Sequence, residues 1–523
     1  MSWESEVEGI EERRRRAQEL GGDEAVAAQR ARGRSTVRER IDALLDAGSF
    51  REQGPIAGRS ETDAEGRLTA FTPANYVLGL GTVEGRRVVV GGEDFTQKGG
   101  SPNPAGLRKS AFAEELACRY RVPLVRFLEG GGGSVAGAKG GQSGSGGGGG
   151  GGESAAAEPR FMSVMRAMGS VPVVSAAMGA VAGLPAARLV ASHLALMTEK
   201  TSQVLVAGPA LVERAMGVSL SKDELGGAAV HARSGVVDNL GRDEADVVAQ
   251  IRCFLSYLPT NVWEPAPVRA SDDPPDRCEE ALLSSVPRER RRPAKMRRIV
   301  DWIVDRDSFF ELGRGHGRSQ ITGLARLAGQ PVGVLANDPY VYAGAMTADA
   351  AQKVRRFVDL CDTFHLPVVS LVDEPGFMIG PEAERDATIR HGTALLFAVM
   401  QSSVPWVSVI VRRVYGVAGA AHFGPGGHVL AWPSAEQGAL PVEGGVAVAF
   451  RREIAAAPDP ELRRRELEER LAPGADPYAR AEAFGVHDLI DPRRTRPALC
   501  DWVDWIQPRL RAHLGPRQYS LRP

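Results

Sequence analysis

Two glycines stand where chemistry could be done without any reactive side chain. Gly183, in Ala182-Gly183-Leu184, and Gly416, in Tyr415-Gly416-Val417-Ala418, each close an apolar run of strand character and open a helical segment. At such a junction the first helical N–H groups have no carbonyl one turn back, and the helix dipole favours negative charge in front of them. A second glycine turn accompanies each one: Gly130–Gly133 in the first case, Glu374-Pro375-Gly376-Phe377 in the second. Amides converging from two such turns form an oxyanion hole, which stabilises an enolate or a tetrahedral oxyanion. Spacing by itself fits equally a plainer role, glycine as a turn or packing device. The sequence holds no nucleophile-elbow GxSxG, Walker loop or HExxH pair, and its nine scattered histidines make no triad.

The elements that would position these turns occur twice. From Gly85 to Gly132 the chain matches Gly329 to Gly376 without a gap, at an offset of 244 residues. Gly85 pairs with Gly329, Asp94 with Asp338, Gly100 with Gly344, Lys109 with Lys353, Pro123 with Pro367, and acidic Glu129 with Asp373. A second stretch repeats at offset 233: Val171-Pro172 with Val404-Pro405, Ser175 with Ser408, Gly183 with Gly416, Ala187 with Ala420. The change of offset places a longer loop in the first copy, containing the glycine-rich tract between Gly130 and Gly152. Each copy reads as strand, strand, helix, strand, Gly-turn, helix, strand, Gly-turn, helix, with helices expected at Ala105–Arg121 and Ala348–His365. That alternation argues for α/β layers. Around the copies, Ser2–Ala47 reads as a charged helical arm, and the tail carries helices at Pro460–Leu471 and Ala498–His513. The expected division is 1–263, a Pro-, Asp- and Arg-rich linker 264–293, and 294–523.

Bulk properties narrow the function. A chain of 523 residues suits two large domains, and a net charge of −1 argues against a nucleic-acid partner. Five isolated cysteines without a CxxC pair describe a reduced, cytoplasmic protein with neither disulfide framework nor metal site. Apolar runs such as Ser170–Ala187 are broken by Pro172 and Pro185, so no membrane span is expected. Lys295-Met296 lacks the Ala-Met-Lys-Met setting of a biotin attachment site.

Residue by residue, the chain resembles the carboxyltransferase (β) subunits of propionyl-CoA, methylcrotonyl-CoA and related acyl-CoA carboxylases, from Arg38-Glu39-Arg40-Ile41 to about Arg496. In the first copy the markers are Asp94-Phe95-Thr96, Lys98-Gly99-Gly100-Ser101, Leu225-Gly226-Gly227 with His231 and Ser234-Gly235-Val236, and Phe254–Pro259 with Asn261. In the second they are Ala336-Asn337-Asp338-Pro339, Asp373–Met378, His391-Gly392, Arg412–Gly416, Ala431-Trp432-Pro433 and Ile490-Asp491-Pro492-Arg493.

The resemblance implies a tandem duplication of crotonase-like (ClpP/crotonase) domains, acyl-CoA on the first and biotin on the second. Biotin would arrive on a separate biotin carboxylase or biotin-carrier subunit, and coenzyme A as part of the substrate. The chain would assemble as a hexamer built from dimers, the N-domain of one copy facing the C-domain of another. The thioester oxygen would lie at Gly183 and Leu184 with Gly131 and Gly132 nearby. The ureido oxygen of biotin would lie at Val417 and Ala418, beside Gly376, Phe377, Tyr415 and Gly416. Two departures stand out: Leu184-Pro185 replaces a Gly-Gly or Leu-Gly pair, and Val417 replaces a glycine. Gly419-Ala420-Ala421-His422 also departs from the commoner pattern, and Gly419, Ala420 and His422 are expected to tune acyl length toward chains longer than acetyl. Arg34, Arg38 and Arg108 are candidates for the 3′-phosphate of CoA. Alternatives are a decarboxylating relative that runs the transfer backwards, and a non-catalytic scaffold subunit.

Overall fold

A computed structural model describes residues 2–131, 161–290, 292–440, 442–471 and 477–517. The chain divides into two compact units, the break falling between Glu264 and Pro265.

The first unit opens with three arm helices, Glu4–Gln18, Asp23–Ala31 and Val37–Leu44. The third starts at a capping box. The Thr36 side chain accepts from the Glu39 amide while the Glu39 carboxylate accepts from the Thr36 amide. An eight-stranded sheet follows: β1 (Arg51–Glu52), β4 (Tyr76–Val83), β5 (Arg86–Glu93), β6 (Leu124–Gly130), β7 (Val173–Ala182), β8 (Leu194–Thr198), β9 (Gln203–Leu205) and β10 (Asn239–Gly241). A separate hairpin joins β2 (Gly58–Thr62) and β3 (Leu68–Pro73). β4 and β5 are antiparallel, whereas β5–β6, β6–β7 and β7–β8 are parallel. The parallel strands are nearly continuous apolar runs because both of their faces are buried. Leu124, Val125, Phe127 and Leu128 are all fully buried. The helix Pro104–Tyr120 begins with Asn103 capping the Gly106 amide at 2.7 Å and a proline at its first turn, where a missing N–H costs nothing.

The second unit repeats the plan with β11 (Phe310–Leu312), β12 (Gln320–Leu327), β13 (Gln330–Asn337), β14 (Val368–Glu374), β15 (Trp406–Tyr415), β16 (His428–Ala431), β17 (Glu436–Gly438) and β18 (Asp488–Leu489). Its pairings match: β12–β13 antiparallel, β13–β14, β14–β15 and β15–β16 parallel. Both copies even interrupt the ladder alike, between Leu128 and Gly130 and between Val372 and Glu374. A bulge at a strand end re-aims the chain that leaves it. The tandem α/β fold expected from the repeat is therefore present, with helices Pro104–Tyr120 and Ala348–Thr363 at the two anticipated places. Residues 265–293 belong to the second unit: Leu282 lies in its apolar core, and the buried Arg496 guanidinium donates to the carbonyls of Asp273 and Pro274. The tail helix expected at Ala498–His513 is two helices, Thr495–Trp505 and Gln507–Ala512, because Pro508 cannot continue the first one's hydrogen bonds.

Candidate active site

In the first unit β7 ends at Ala182, and Gly183 turns the chain into the helix Leu184–Val190 with φ 66° and ψ −131°. In the second, β15 ends at Tyr415, and Gly416 turns it into the 3₁₀ helix Val417–His422 with φ 63° and ψ −161°. Extended ψ with positive φ is a conformation that essentially only glycine adopts, so both turns require the residue they have. Gly416 N–H donates to the Gly438 carbonyl at 3.2 Å, which ties the turn to β17. The amides of Val417 and Ala418 follow it in the first helical turn with no backbone acceptor among the described residues. In the first unit the same is true of Leu184 and Ala186, while Pro185 has no N–H to offer.

The second glycine turns differ from expectation in detail. Gly131 N–H donates to the Gly99 carbonyl, at 3.5 Å, and Gly376 N–H donates to Glu374 Oε1 at 2.9 Å. Gly376 is thus already committed, and the donor left on that turn is the Phe377 amide. That amide lies between two bridging bonds, Met346 N–H to Gly376 and Met378 N–H to Met346. Gly132 lies outside the described residues. Each turn leans on a left-handed segment: Lys98, Gly99 and Gly100 have φ 50°, 63° and 69°, and Tyr342, Ala343 and Gly344 have φ 50°, 55° and 89°. Two non-glycine residues at positive φ in the second copy store strain that the surrounding contacts must hold.

Buried polar groups do that holding. In the second unit Glu374 Oε2 accepts from Gln320 Nε2 at 3.1 Å and Asn337 Nδ2 at 3.0 Å, and both amides also reach the Gly344 carbonyl. Asp373 takes the Arg413 guanidinium at 2.6 Å. Burial pulls the basicity of Arg413 down, but the Asp373 hydrogen bond and charge outweigh it and leave the pKa raised. In the first unit the corresponding acid, Glu129, is fully buried and accepts from Arg34 at 2.6 Å, Arg40 at 2.5 Å and Gln29 at 2.9 Å. Its amide donates to Glu93 Oε2, whose carboxyl burial pushes up to about 7, against the pull of Arg188.

Residues 28–511 match the model of the carboxyl transferase domain family. The chain belongs to the carboxyl transferase family. It is 34% identical over 506 residues to the propionyl-CoA carboxylase carboxyltransferase subunit of Haloferax mediterranei, covering 95% of each chain. It is 30% identical to the methylmalonyl-CoA decarboxylase subunit alpha of Veillonella parvula, covering 99% of each. Among solved structures it superimposes on the transcarboxylase 12S hexamer core with a TM-score of 0.85 at 30% identity, over 100% of this chain and 97% of that one. The crotonase-like duplication read from the sequence is the fold of this carboxyltransferase.

The remaining expected site residues fall into two groups. Gly416, Val417 and Ala420 are exposed, Val417 by 62%, whereas Ala418 and Gly419 are buried beneath them. Tyr415 is buried and donates its hydroxyl to Glu436 at 3.0 Å, so it braces β15 against β17. His422, expected to tune acyl length, is fully buried (0% exposed): its imidazole meets Ser370 Oγ at 2.9 Å and Glu374 Oε2 at 3.4 Å. It positions the Glu374 turn from behind instead of lining a pocket. Of the arginines considered for the CoA phosphate, Arg38 is spent on Glu52 at 2.9 Å, and Arg108 lies in a different cleft beside Glu115. Spacing does not point to Gln320 or to the arm residues Gln29 and Arg40 as site residues, since nothing in it ties an arm helix to a strand end. The repeated lysines would have pointed to the strand ends: Lys109 and Lys353 donate to the carbonyls of Gly54 and Gln320, and burial lowers them to about 8 and about 7. Among the described residues no cluster of acids, histidines or cysteines could hold a metal, and no helix is long and apolar enough to cross a membrane.

Proposed function

We propose that this carboxyltransferase moves a carboxyl group from carboxybiotin to the α-carbon of an acyl-CoA, with main-chain amides stabilising both reacting anions. Carboxybiotin, brought by a separate biotin-bearing subunit, supplies the carboxyl group and then a basic nitrogen for the α-proton. In the first domain, 1–263, the thioester oxygen is held at the Leu184 amide behind Gly183, so that negative charge developing on the enolate meets a fixed dipole. In the second unit, the Val417 and Ala418 amides behind Gly416 hold the ureido oxygen. The chain's side chains orient these turns and carry no proton. A flat, uncharged ureido group fits a turn whose exposed residues, Gly416, Val417 and Ala420, bring no charge.

The observation that carries this reading is the pair of glycine turns, each in a glycine-only conformation and each followed by first-turn amides without an acceptor. The relatives support the substrate class: one is a propionyl-CoA carboxylase carboxyltransferase subunit, and the transcarboxylase core was solved with methylmalonyl-CoA bound. That core is a hexamer, which supports the same assembly here. The protein is proposed to act in the cytoplasm.

The decarboxylating direction is the second reading, favoured by a decarboxylase subunit that aligns over 99% of both chains. The experiment mixes the chain with a biotin carboxylase and carrier partner, ATP, labelled bicarbonate and acyl-CoAs of increasing length. Label in an acyl-CoA product is expected. Label in none, with CO₂ released from methylmalonyl-CoA instead, favours decarboxylation. Activity in neither direction overturns the proposal.

A further inference from the structure

Two buried acids meet at the strand ends behind the first glycine turn, and only one of them has cations. Glu129, on β6, takes Arg34 at 2.6 Å, Arg40 at 2.5 Å and Gln29 at 2.9 Å. Glu93, at the end of β5, is 6% exposed and has no ion-pair partner among the described residues. A buried carboxylate without a cation is strongly disfavoured, and such a group keeps its proton instead. Charged and titratable groups do face it: Arg126 from β6, Arg188 from the helix Leu184–Val190, and Tyr76 opposite it on β4. Both guanidiniums are bonded to Glu114 of the helix Pro104–Tyr120, at 3.1 and 2.8 Å. Burial prevails over their pull and lifts the Glu93 carboxyl to about 7.

The second unit shows what that position does. At the offset of 244, Glu93 corresponds to Asn337, Glu129 to Asp373, Gly100 to Gly344 and Tyr76 to Gln320. The strands keep the same register, Tyr76 opposite Glu93 and Gln320 opposite Asn337. Asn337 uses both ends of its amide: Oδ1 accepts from the Asp373 N–H at 2.9 Å, and Nδ2 donates to the Gly344 carbonyl at 3.1 Å. Glu93 repeats the first half, its Oε2 accepting from the Glu129 N–H at 3.2 Å. The second half needs a donor, which a carboxyl has only when protonated. Gln320 also reaches the Gly344 carbonyl, but Tyr76 stands in its place and its buried hydroxyl has no partner among the described residues. The Gly100 carbonyl likewise receives no hydrogen bond among the described residues. It lies against the end of β6, where a Cβ on Gly130 would stand 2.6 Å from its oxygen.

We propose that Glu93 is a positioning residue that works as a neutral acid, taking the Glu129 amide on one oxygen and giving its proton to the Gly100 carbonyl. It thereby holds the end of β6, from which Gly130 and Gly131 lead to the thioester. The inference rests on the acyl-CoA reading above and adds a proton switch to it. Once ionised, Glu93 turns an oxygen without a proton toward that carbonyl, the two repel, and the turn loses its tie to β5. Carboxyl transfer to acyl-CoA therefore falls as pH rises through about 7.

The test uses the assembled enzyme with its biotin-bearing partner and compares Glu93→Gln with wild type at each pH, kcat being corrected for folded protein by a thermal melt. Glutamine keeps an acceptor and a donor at every pH. The ratio of its kcat to that of wild type should rise about tenfold from pH 6 to pH 8, as the protonated fraction of Glu93 falls across about 7. Glu93→Ala should lose about tenfold in kcat at pH 6, and Glu93→Gln should restore it. A flat ratio, or a glutamine variant as impaired as alanine at pH 6, overturns the assignment. Hydrogen exchange over residues 124–131 of the full-length chain adds a readout free of turnover. Wild type should exchange like Glu93→Gln at pH 6 and faster than it at pH 8, and equal exchange at both overturns the switch. If wild type transfers no carboxyl group, the acyl-CoA reading fails, while the exchange still decides Glu93.

Discussion

Replacing Gly416 by alanine isolates the main-chain contribution, because almost nothing else is disturbed. A Cβ on Gly416 would find its nearest neighbour, the Ala439 carbonyl oxygen, at 3.5 Å, an ordinary contact. The cost lies in the backbone, where φ 63° and ψ −161° are unfavourable for an L-residue by about 1–3 kcal/mol. The turn can relieve that strain by rotating the peptide that follows, and rotation swings the Val417 N–H away from the ureido oxygen it is proposed to hold. Losing one such donor lowers kcat by about 10²- to 10³-fold, so a variant that still folds should turn over at about one-hundredth of the wild-type rate or less. KM for acyl-CoA should stay the same, since the substitution is in the second unit. Steady-state carboxylation with the biotin-bearing partner measures both parameters, and a thermal melt accounts for folded protein. Gly438→Ala is the control: its carbonyl anchors Gly416, yet a Cβ there meets nothing closer than 3.5 Å. If fully folded Gly416→Ala keeps kcat within about threefold of wild type, the Val417 amide does not stabilise a reacting anion, and the reasoning is refuted.

Other residues give separate tests. Arg40 is buried between Glu129 and Glu244, so Arg40→Met removes the cation they share, leaving Glu129 to Arg34 and Gln29, and should destabilise the first unit by about 1–3 kcal/mol, read from chemical denaturation. His422→Leu should cost about 1–3 kcal/mol of stability by depriving Ser370 and Glu374 of a partner. It should leave the ratio of kcat/KM between short and long acyl-CoAs unchanged, and a shifted ratio would restore His422 to substrate selection. Glu93 has a carboxyl pKa raised from 4.5 to about 7, so the stability it contributes is complete below pH 4.5 and is lost as pH rises through 7. Glu93→Gln fixes the neutral form. Its stability relative to wild type should climb across that window by up to about 3 kcal/mol, and a flat difference would mean the carboxyl is not perturbed.

Much of this molecule was legible because duplication writes each feature twice. Paired Gly, Pro and Lys residues located the strand ends, and the helices Pro104–Tyr120 and Ala348–Thr363 lie within two residues of their expected bounds. Gly183 and Gly416 could be read as turns because a β-to-helix junction leaves a recognisable apolar-Gly-helix pattern. What could not be read was the support behind them. Glu129 is satisfied by Gln29, Arg34 and Arg40, about a hundred residues earlier in the chain, and that pairing leaves no periodicity. His422 follows an exposed turn by six residues, and only the tightness of the 3₁₀ helix sends its ring inward to Glu374. The cleft lined by Arg32, Arg34, Lys200 and Lys222 depends on small residues beside it, Gly179 with no side chain and Ala180 with only a methyl group, which draw attention only when the two copies are compared in register.

The departures at Leu184-Pro185 and Val417 bear on whether the chain is an enzyme or an idle scaffold, and the geometry favours the enzyme. An active site built from side chains loses its function when those residues change. One built from amides keeps it as long as the backbone trace is kept. Val417 has a side chain that is 62% exposed, so its isopropyl group stands in solvent and takes nothing from its own N–H. Pro185 removes one amide, but Leu184 and Ala186 on either side retain theirs, and a proline in the first helical turn stabilises the very conformation that presents them. What both turns cannot lose is the glycine in front, because no other residue reaches that φ and ψ, and both are present. Selection on such a site falls on two backbone positions and on the buried acids that hold the second turns, leaving the walls free to diverge. Those walls have diverged: Gly179-Ala180 stands beside a cleft lined by Arg32, Arg34, Lys200 and Lys222 in one copy, and Arg412-Arg413 stands at the same register positions in the other, bonded to Asp373 and to backbone carbonyls. The proposed reaction, between a charged coenzyme A thioester and an uncharged ureido ring, calls for equivalent anion traps behind unequal walls.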